Sequence, residues 1–146
     1  MGTFTELNMA VRLKEDTPSD VISVINSMID GAIIPIETPN HPFFKTDRWW
    51  KLFVEDSYYF AGDTHSTFKF NGIMNQYTLT IRSNLKNYSY EIELFLNFLH
   101  PYIDTYGFIG YEMDQRCDEP DLIYNYNSRI IIGGTEIDSD YVSWIT

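Results

Sequence analysis

From Thr3 to Lys14 the chain alternates. Thr5, Leu7, Met9, Val11 and Leu13 fall on one side, and Glu6, Asn8, Arg12 and Lys14 on the other. A period of two is the pattern of a strand with one buried face. The period then changes. Thr17, Pro18 and Asp20 suit the N-cap, first position and first-turn acid of a helix. Val21, Val24, Ile25, Met28 and Ile29 follow at helical spacing, and Gly31 suits the left-handed position that ends one.

Residues 32–36 are short and apolar, and Pro35, Pro39 and Pro42 forbid regular structure for long, so 32–48 reads as an irregular connection ending in a turn near Thr46 and Asp47. Two aromatic-rich strands are expected at 49–54 and 58–61, paired around Glu55–Ser57. The runs 67–70 and 73–81 flank Asn71–Gly72, a strong hairpin signal because such a turn needs positive φ at its central residues. Tyr77, Leu79 and Ile81 would share one face. Ser89 caps a second helix over 90–103, with Ile92, Phe95, Leu96, Leu99 and Ile103 as its apolar stripe and Pro101 tightening its end. Strands are expected at 108–113 and 122–132 around an acidic loop containing Pro120. Gly133–Gly134 then lead into a tail at 133–146 with Trp144.

The predicted order is strand, helix, several strands, helix, strands. Hairpins dominate, so the expectation is an α+β fold: a mostly antiparallel sheet with two helices packed on one face, ferredoxin-like with additional strands. A length of 146 residues fits a single domain spanning 1–146.

Charge changes this picture in one place. After residue 100 there are nine acids and two bases, a net of −7 out of −11 for the chain. Glu112, Asp114, Asp118, Glu119 and Asp121 crowd one strand–loop–strand corner; Glu136, Asp138 and Asp140 follow beyond Gly134. Charge of one sign governs association more than fold. It favours a partner with a basic surface and opposes direct binding to nucleic acid or anionic lipid. The 24 aromatics argue against disorder. A lone Cys117, no secretory leader pattern and no long apolar run point to a cytoplasmic protein with no membrane span.

Candidate chemistry is thin. The acidic loop lacks the spacing and glycine of a calcium loop. His41, His65 and His100 form no metal-binding pair, and Cys117 sits among carboxylates that weaken it as a nucleophile. Nucleotide, hydrolase and kinase signatures are missing. These patterns assign no catalytic residue, metal or cofactor. The aromatics are more informative. On strands, neighbours such as Trp49–Trp50 and Tyr58–Tyr59 face opposite sides, so one of each pair would lie on the second sheet face, with Arg82 available nearby for an anion.

Several segments carry a resemblance. They are Thr17-Pro-Ser-Asp-Val-Ile, His41-Pro-Phe-Phe-Lys with Asp47-Arg-Trp-Trp, Ser57-Tyr-Tyr-Phe, and Arg82-Ser-Asn-Leu-Lys-Asn-Tyr leading to Pro101-Tyr-Ile and Phe108-Ile-Gly-Tyr. Across most of 3–126 the chain resembles a family of small proteins borne by phages and prophages of Gram-positive bacteria. The resemblance implies a setting, an accessory protein of a bacterial cytoplasm, and no catalytic residue. The expectation is a binding protein that docks the acidic corner on a basic partner, with charge mimicry of nucleic acid as one means. The alternative is a domain that binds a nucleotide-like ligand on an aromatic sheet face. A homodimer through that face is also left open.

Overall fold

The structure, a computed structural model, describes residues 3–31 and 37–146. Its strands are β1 (Thr5–Arg12), β2 (Thr67–Asn71), β3 (Gln76–Leu85), β4 (Gly107–Asp114), β5 (Asp121–Asn125), β6 (Ile130–Ile132) and β7 (Thr135–Glu136). Its helices are α1 (Ser19–Ile29), α2 (Glu91–Leu99) and α3 (Ser139–Ile145). The strands form one antiparallel sheet in the order β2-β3-β1-β4-β5-β6-β7. The α+β class and the antiparallel sheet therefore agree with the alternation and hairpin signals of the sequence.

Directly paired residues share a face of the sheet. Met9 pairs with Ile81 and Val11 with Leu79, and all four are buried. These inward positions join Val21, Val24, Ile25 and Met28 of α1, and Ile92, Phe95, Leu96 and Leu99 of α2, in one core cluster. The two apolar stripes read from the sequence are thus the ones buried. Their ends differ in detail. The Thr17 hydroxyl donates to the Lys14 carbonyl instead of capping α1, while Gly31 does take the left-handed conformation, φ +63°. Entry to α2 is made by Asn87, whose side-chain oxygen accepts from the Ile92 amide, with Tyr90 left-handed. Pro101 has no N–H to continue the ladder, and α2 ends at Leu99 in a 3₁₀ turn over His100–Tyr102.

The β2–β3 hairpin is present with a longer turn than Asn71–Gly72 implies. Asn71 pairs with Gln76, its side chain accepts from the amides of Ile73 and Met74, and the positive φ falls on Asn75.

Three predicted elements are corrected. Residues 49–54 and 58–61 are not strands. Trp49–Lys51 is a 3₁₀ turn, and the chain then runs irregularly to Ser66. Phe43, Phe44 and Trp49 pack on one another and on Phe95 and Phe98 of α2, and this tertiary packing overrides the strand propensity of the aromatic run. The segment after it lies along β3 past the end of β2, with the Asn84 amide donating to the Glu55 carbonyl and the His65 amide to the Arg82 carbonyl. The run 122–132 is two strands, split by a tight turn in which Asn127 and Ser128 both have positive φ and Tyr126 and Arg129 exchange backbone hydrogen bonds. The tail carries β7 and α3, the latter capped by Asp138, which accepts from the Tyr141 amide. The apolar stretch 32–36 lies outside the described residues.

One glycine is required by packing. At Gly110 the register between β4 and β5 shifts, and a β-carbon there would lie 2.2 Å from the Asn8 carbonyl oxygen of β1. Only a residue without a side chain lets β4 bulge this close to β1.

Candidate functional site

The five corner acids do not form one solvated patch. Glu112 lies within β4, opposite Leu7 of β1 and Asp121 of β5. Leu7 is fully buried, so this register turns the Glu112 carboxyl inward. There it meets Glu93 of α2, itself buried. The two carboxyls, with Asp121, Thr135, Ile137 and Tyr141, line a cavity of about 210 Å³. Burial, and after it the charge of Glu93, pushes the Glu112 carboxyl up to about 8. Burial also raises Glu93, against the pull of the Asn87 amide, which donates to both its oxygens at 3.0 and 3.3 Å.

Asp114 is held by Arg116, whose Nε and Nη2 each donate to it at 2.9 Å, and that bond keeps its carboxyl below the usual range. Only Asp118, Glu119 and Asp121 remain exposed. The tail does reach this corner, but through Thr135, Ile137 and Tyr141. Of its own acids, Glu136 pairs with Arg129 at 2.7 Å and Asp138 caps α3.

The predicted aromatic surface is also redistributed. Trp49 packs edge-on to Phe44 at 5.0 Å against the core, and Trp50 carries the Lys51 ammonium 4.9 Å from its ring centre. Tyr58 and Tyr59 stack at 4.6 Å in the loop after the 3₁₀ turn, and Tyr59 also meets Phe4. The Arg82 guanidinium lies in that same loop's neighbourhood, donating to the Ala61 carbonyl at 3.5 Å. The two tryptophans and the two tyrosines are therefore not paired across one sheet, because the strands that would alternate them do not exist.

An aromatic sheet surface is nevertheless present, built from other residues. On β4 and β5 the inward positions Ile109, Ile123 and Asn125 are at most 4% exposed. Between them Phe108, Leu122 and Tyr126 turn outward and are 55%, 41% and 36% exposed. Tyr124 stacks on Tyr126 at 5.5 Å with rings 9° from parallel; Phe108 meets Tyr124 at 5.8 Å and Tyr106 meets Tyr126 at 5.4 Å. Tyr111 and Met113 on β4 extend the surface toward β1. There the Tyr111 hydroxyl donates to Glu6 at 2.8 Å and the outward positions become polar: Asn8, Arg12, Thr80 and Arg82. The signal for this surface is in the sequence. Leu122, Tyr124 and Tyr126 recur every second residue, but Ile123 between them is also apolar, which hides the alternation.

No family model matches the chain, and no curated protein or solved structure matches it.

His41 is structural: its Nδ1 accepts from the Phe43 amide at 3.1 Å, which leaves the proton on Nε2 facing Asn97 at 2.8 Å, and burial lowers its basicity. His100 Nδ1 bonds the Asn97 carbonyl, and His65 and Cys117 are exposed. Among the described residues, no group of three or more His, Cys, Asp or Glu is arranged to hold a metal ion, and no helix is long and apolar enough to cross a membrane. Arg48, Lys51 and Lys86 share a hollow of about 330 Å³ with Glu55 and Asp56, so its cations already face carboxylates of the chain. The arrangement presents aromatic rings on the outer side of β4 and β5 and an exposed acidic loop at the far end of the same hairpin.

Proposed function

We propose that this protein acts by docking a protein partner with a basic surface, using the outward aromatic face of β4 and β5 as anchor and the loop 114–121 as the charged rim. The observation that carries this reading is the row Phe108, Tyr124 and Tyr126 on the outer side of β4 and β5, with Phe108 and Tyr126 exposed and the half-buried Tyr124 ring between them. Tyrosine supplies large contact area with a polar tip and little entropy to lose, which suits it to interfaces. The acids Asp118 and Glu119 lie in the loop that joins β4 to β5, at the other end of the same two strands from the Phe108–Tyr124 pair, with Tyr111 and Leu122 between them on the outer face, so steering and anchoring sit on one hairpin.

The architecture supports the same reading. The chain order β1-α1-β2-β3-α2-β4, with sheet order β2-β3-β1-β4, supports reading these elements as a ferredoxin-like core with both helices on its inner face, extended by β5 to β7 on the β4 side. The aromatic face then belongs mainly to the extension. In the phage or prophage setting that the sequence resembles, the partner is a nucleic-acid-binding protein of the host or phage, blocked by charge mimicry. The ligand-binding alternative is less favoured: Arg82 on β3 stands three strand steps from Tyr124 on β5, roughly 14 Å at about 4.8 Å per step, too far to close on one planar compound.

Affinity capture with the full chain, at low and high salt, tests the proposal. Tyr124→Ser with Tyr126→Ser should abolish capture of the partner, and Asp118→Asn with Glu119→Gln should weaken it most at low salt. Undiminished capture by both double variants would sink the reading. A second copy of the chain as the only species recovered would replace it with a homodimer.

A further inference from the structure

The cavity between α2, β4, β5 and the tail holds carboxyls that the binding reading does not use. Glu93 is 7% exposed. The Oε2 of Glu112 is buried and has no hydrogen-bond partner among the described residues other than the carboxyl it faces. Among the described residues, the charged or titratable groups near the pair are acids and one phenol. They are Glu91 from the start of α2, Asp114 on β4, Asp121 on β5 and Tyr141 on α3. The nearest cations are already committed, Arg48 to Glu91 at 3.9 Å and Arg116 to Asp114. Leu7 of β1, opposite Glu112, is uncharged.

Two carboxylates cannot both stay ionised in such a place without a counter-ion. We propose that Glu93 and Glu112 share one proton, and that this proton is the latch holding the carboxy-terminal helix α3 against α2. With the proton present, one carboxyl donates to the other and the cavity closes under Tyr141 and Ile137. When base removes it to solvent, Glu93, Glu112 and Asp121 confront one another as three negative charges around a small space. The wall that can yield is the last one added. α3 has seven residues, too few to persist alone, and its attachments are the partly buried Tyr141, Val142 and Ile145, with Trp144 left 75% exposed. Upstream, the Ile137 carbonyl is tied to α2 by the Asn97 amide at 3.0 Å, so the hinge falls at 137–138. The raised titration of Glu112 agrees with this arrangement and places the opening on the alkaline side of neutrality.

Two measurements on the full chain test it. Carbon-detected titration of the glutamate carboxyls should find one with a midpoint near 8; all nine glutamates titrating below about pH 6 would overturn the proposal. Hydrogen exchange of residues 139–145, corrected for the intrinsic dependence on base, should lose at least tenfold in protection between pH 6 and 9 in the natural protein and stay constant in Glu112→Gln. Equal losses in both would also overturn it. If Glu112→Gln does not fold, the carboxyl titration decides alone. A rise in Tm at pH 8 on adding magnesium or calcium to metal-free protein would make the pair a cation site and displace the shared proton.

Discussion

Two of the aromatic clusters among the described residues have nearly the same ring-to-ring distances. In one, Phe43, Phe53, Phe95 and Phe98 are at most 5% exposed, with centroid distances such as 5.3 Å for Phe43–Phe95 and 5.4 Å for Phe53–Phe95. In the other, Phe108, Tyr124, Tyr126 and Tyr106 meet at 5.4 to 5.8 Å, yet three of them are more than a third exposed. Ring-to-ring contact therefore does not distinguish core from surface. The difference is chemical: the first cluster is phenylalanine around α2, and the second is mostly tyrosine, whose hydroxyl stays in water while the ring remains available.

The sharpest way to break that comparison is to truncate one ring in each. Phe95→Ala removes a ring that touches Phe43, Phe53 and Phe98, and should cost about 3–5 kcal/mol, read as a large fall in the denaturation midpoint. That is a sizeable share of the stability of an ordinary domain. A loss below about 1 kcal/mol would mean that the two clusters are alike.

The core cluster was the more legible of the two. Helical spacing alone placed Phe95, Leu96 and Leu99 inside, and the alternation of Leu7, Met9 and Val11 placed β1. What sequence could not provide was the conformation of 49–61. An aromatic run has the same composition whether it pairs as a strand or folds as a 3₁₀ turn under a helix, and only Phe43, Phe95 and Phe98, distant in sequence, decide between the two. The outward face failed for a related reason. Ile123 is apolar on the buried side and Leu122 and Tyr124 are apolar on the exposed side, so periodicity gave no contrast. Glu112 reads as solvated from sequence, because an acid within a strand turns inward only where its register sets it opposite a buried residue such as Leu7.

The acids repeat the comparison at smaller energies. Glu112 faces inward and Asp118 and Glu119 outward. The Glu112 carboxyl keeps its proton up to about pH 8 when folded, whereas the unfolded chain releases it near 4.5. The folded form thus binds the extra proton between those values, so the contribution of Glu112 to stability is fully present below about pH 4.5 and is lost as pH rises toward 8. The loss should be on the order of a few kcal/mol. Glu112→Gln should flatten this slope and be the more stable protein at pH 8.5, as thermal melts across the range would read. A natural protein whose Tm rises from pH 5 to 8, with Glu112→Gln parallel to it, would contradict the inward placement.

Tyr126→Ser removes an exposed ring and Tyr124→Ser a half-buried one on the outer face, so each should change stability far less than Phe95→Ala, by about 1 kcal/mol or less for Tyr126. Their effect belongs to the partner. An anchor ring desolvated on binding acts mainly through dissociation, so the partner's off-rate should rise by tenfold or more.

Asp118→Asn with Glu119→Gln is the smallest change and the most discriminating. Both side chains are exposed, and stability should stay within about 0.5 kcal/mol. If these acids steer a basic partner, their removal slows association at low salt, leaves dissociation nearly untouched, and flattens the dependence of the on-rate on ionic strength. The tyrosine variants should give the reverse pattern, faster dissociation with steering intact. Surface plasmon resonance at two salt concentrations separates the two. Should the acid variant instead raise the off-rate as the tyrosine variants do, the loop 114–121 lies inside the contact rather than at its rim, and the charge and the rings form one interface.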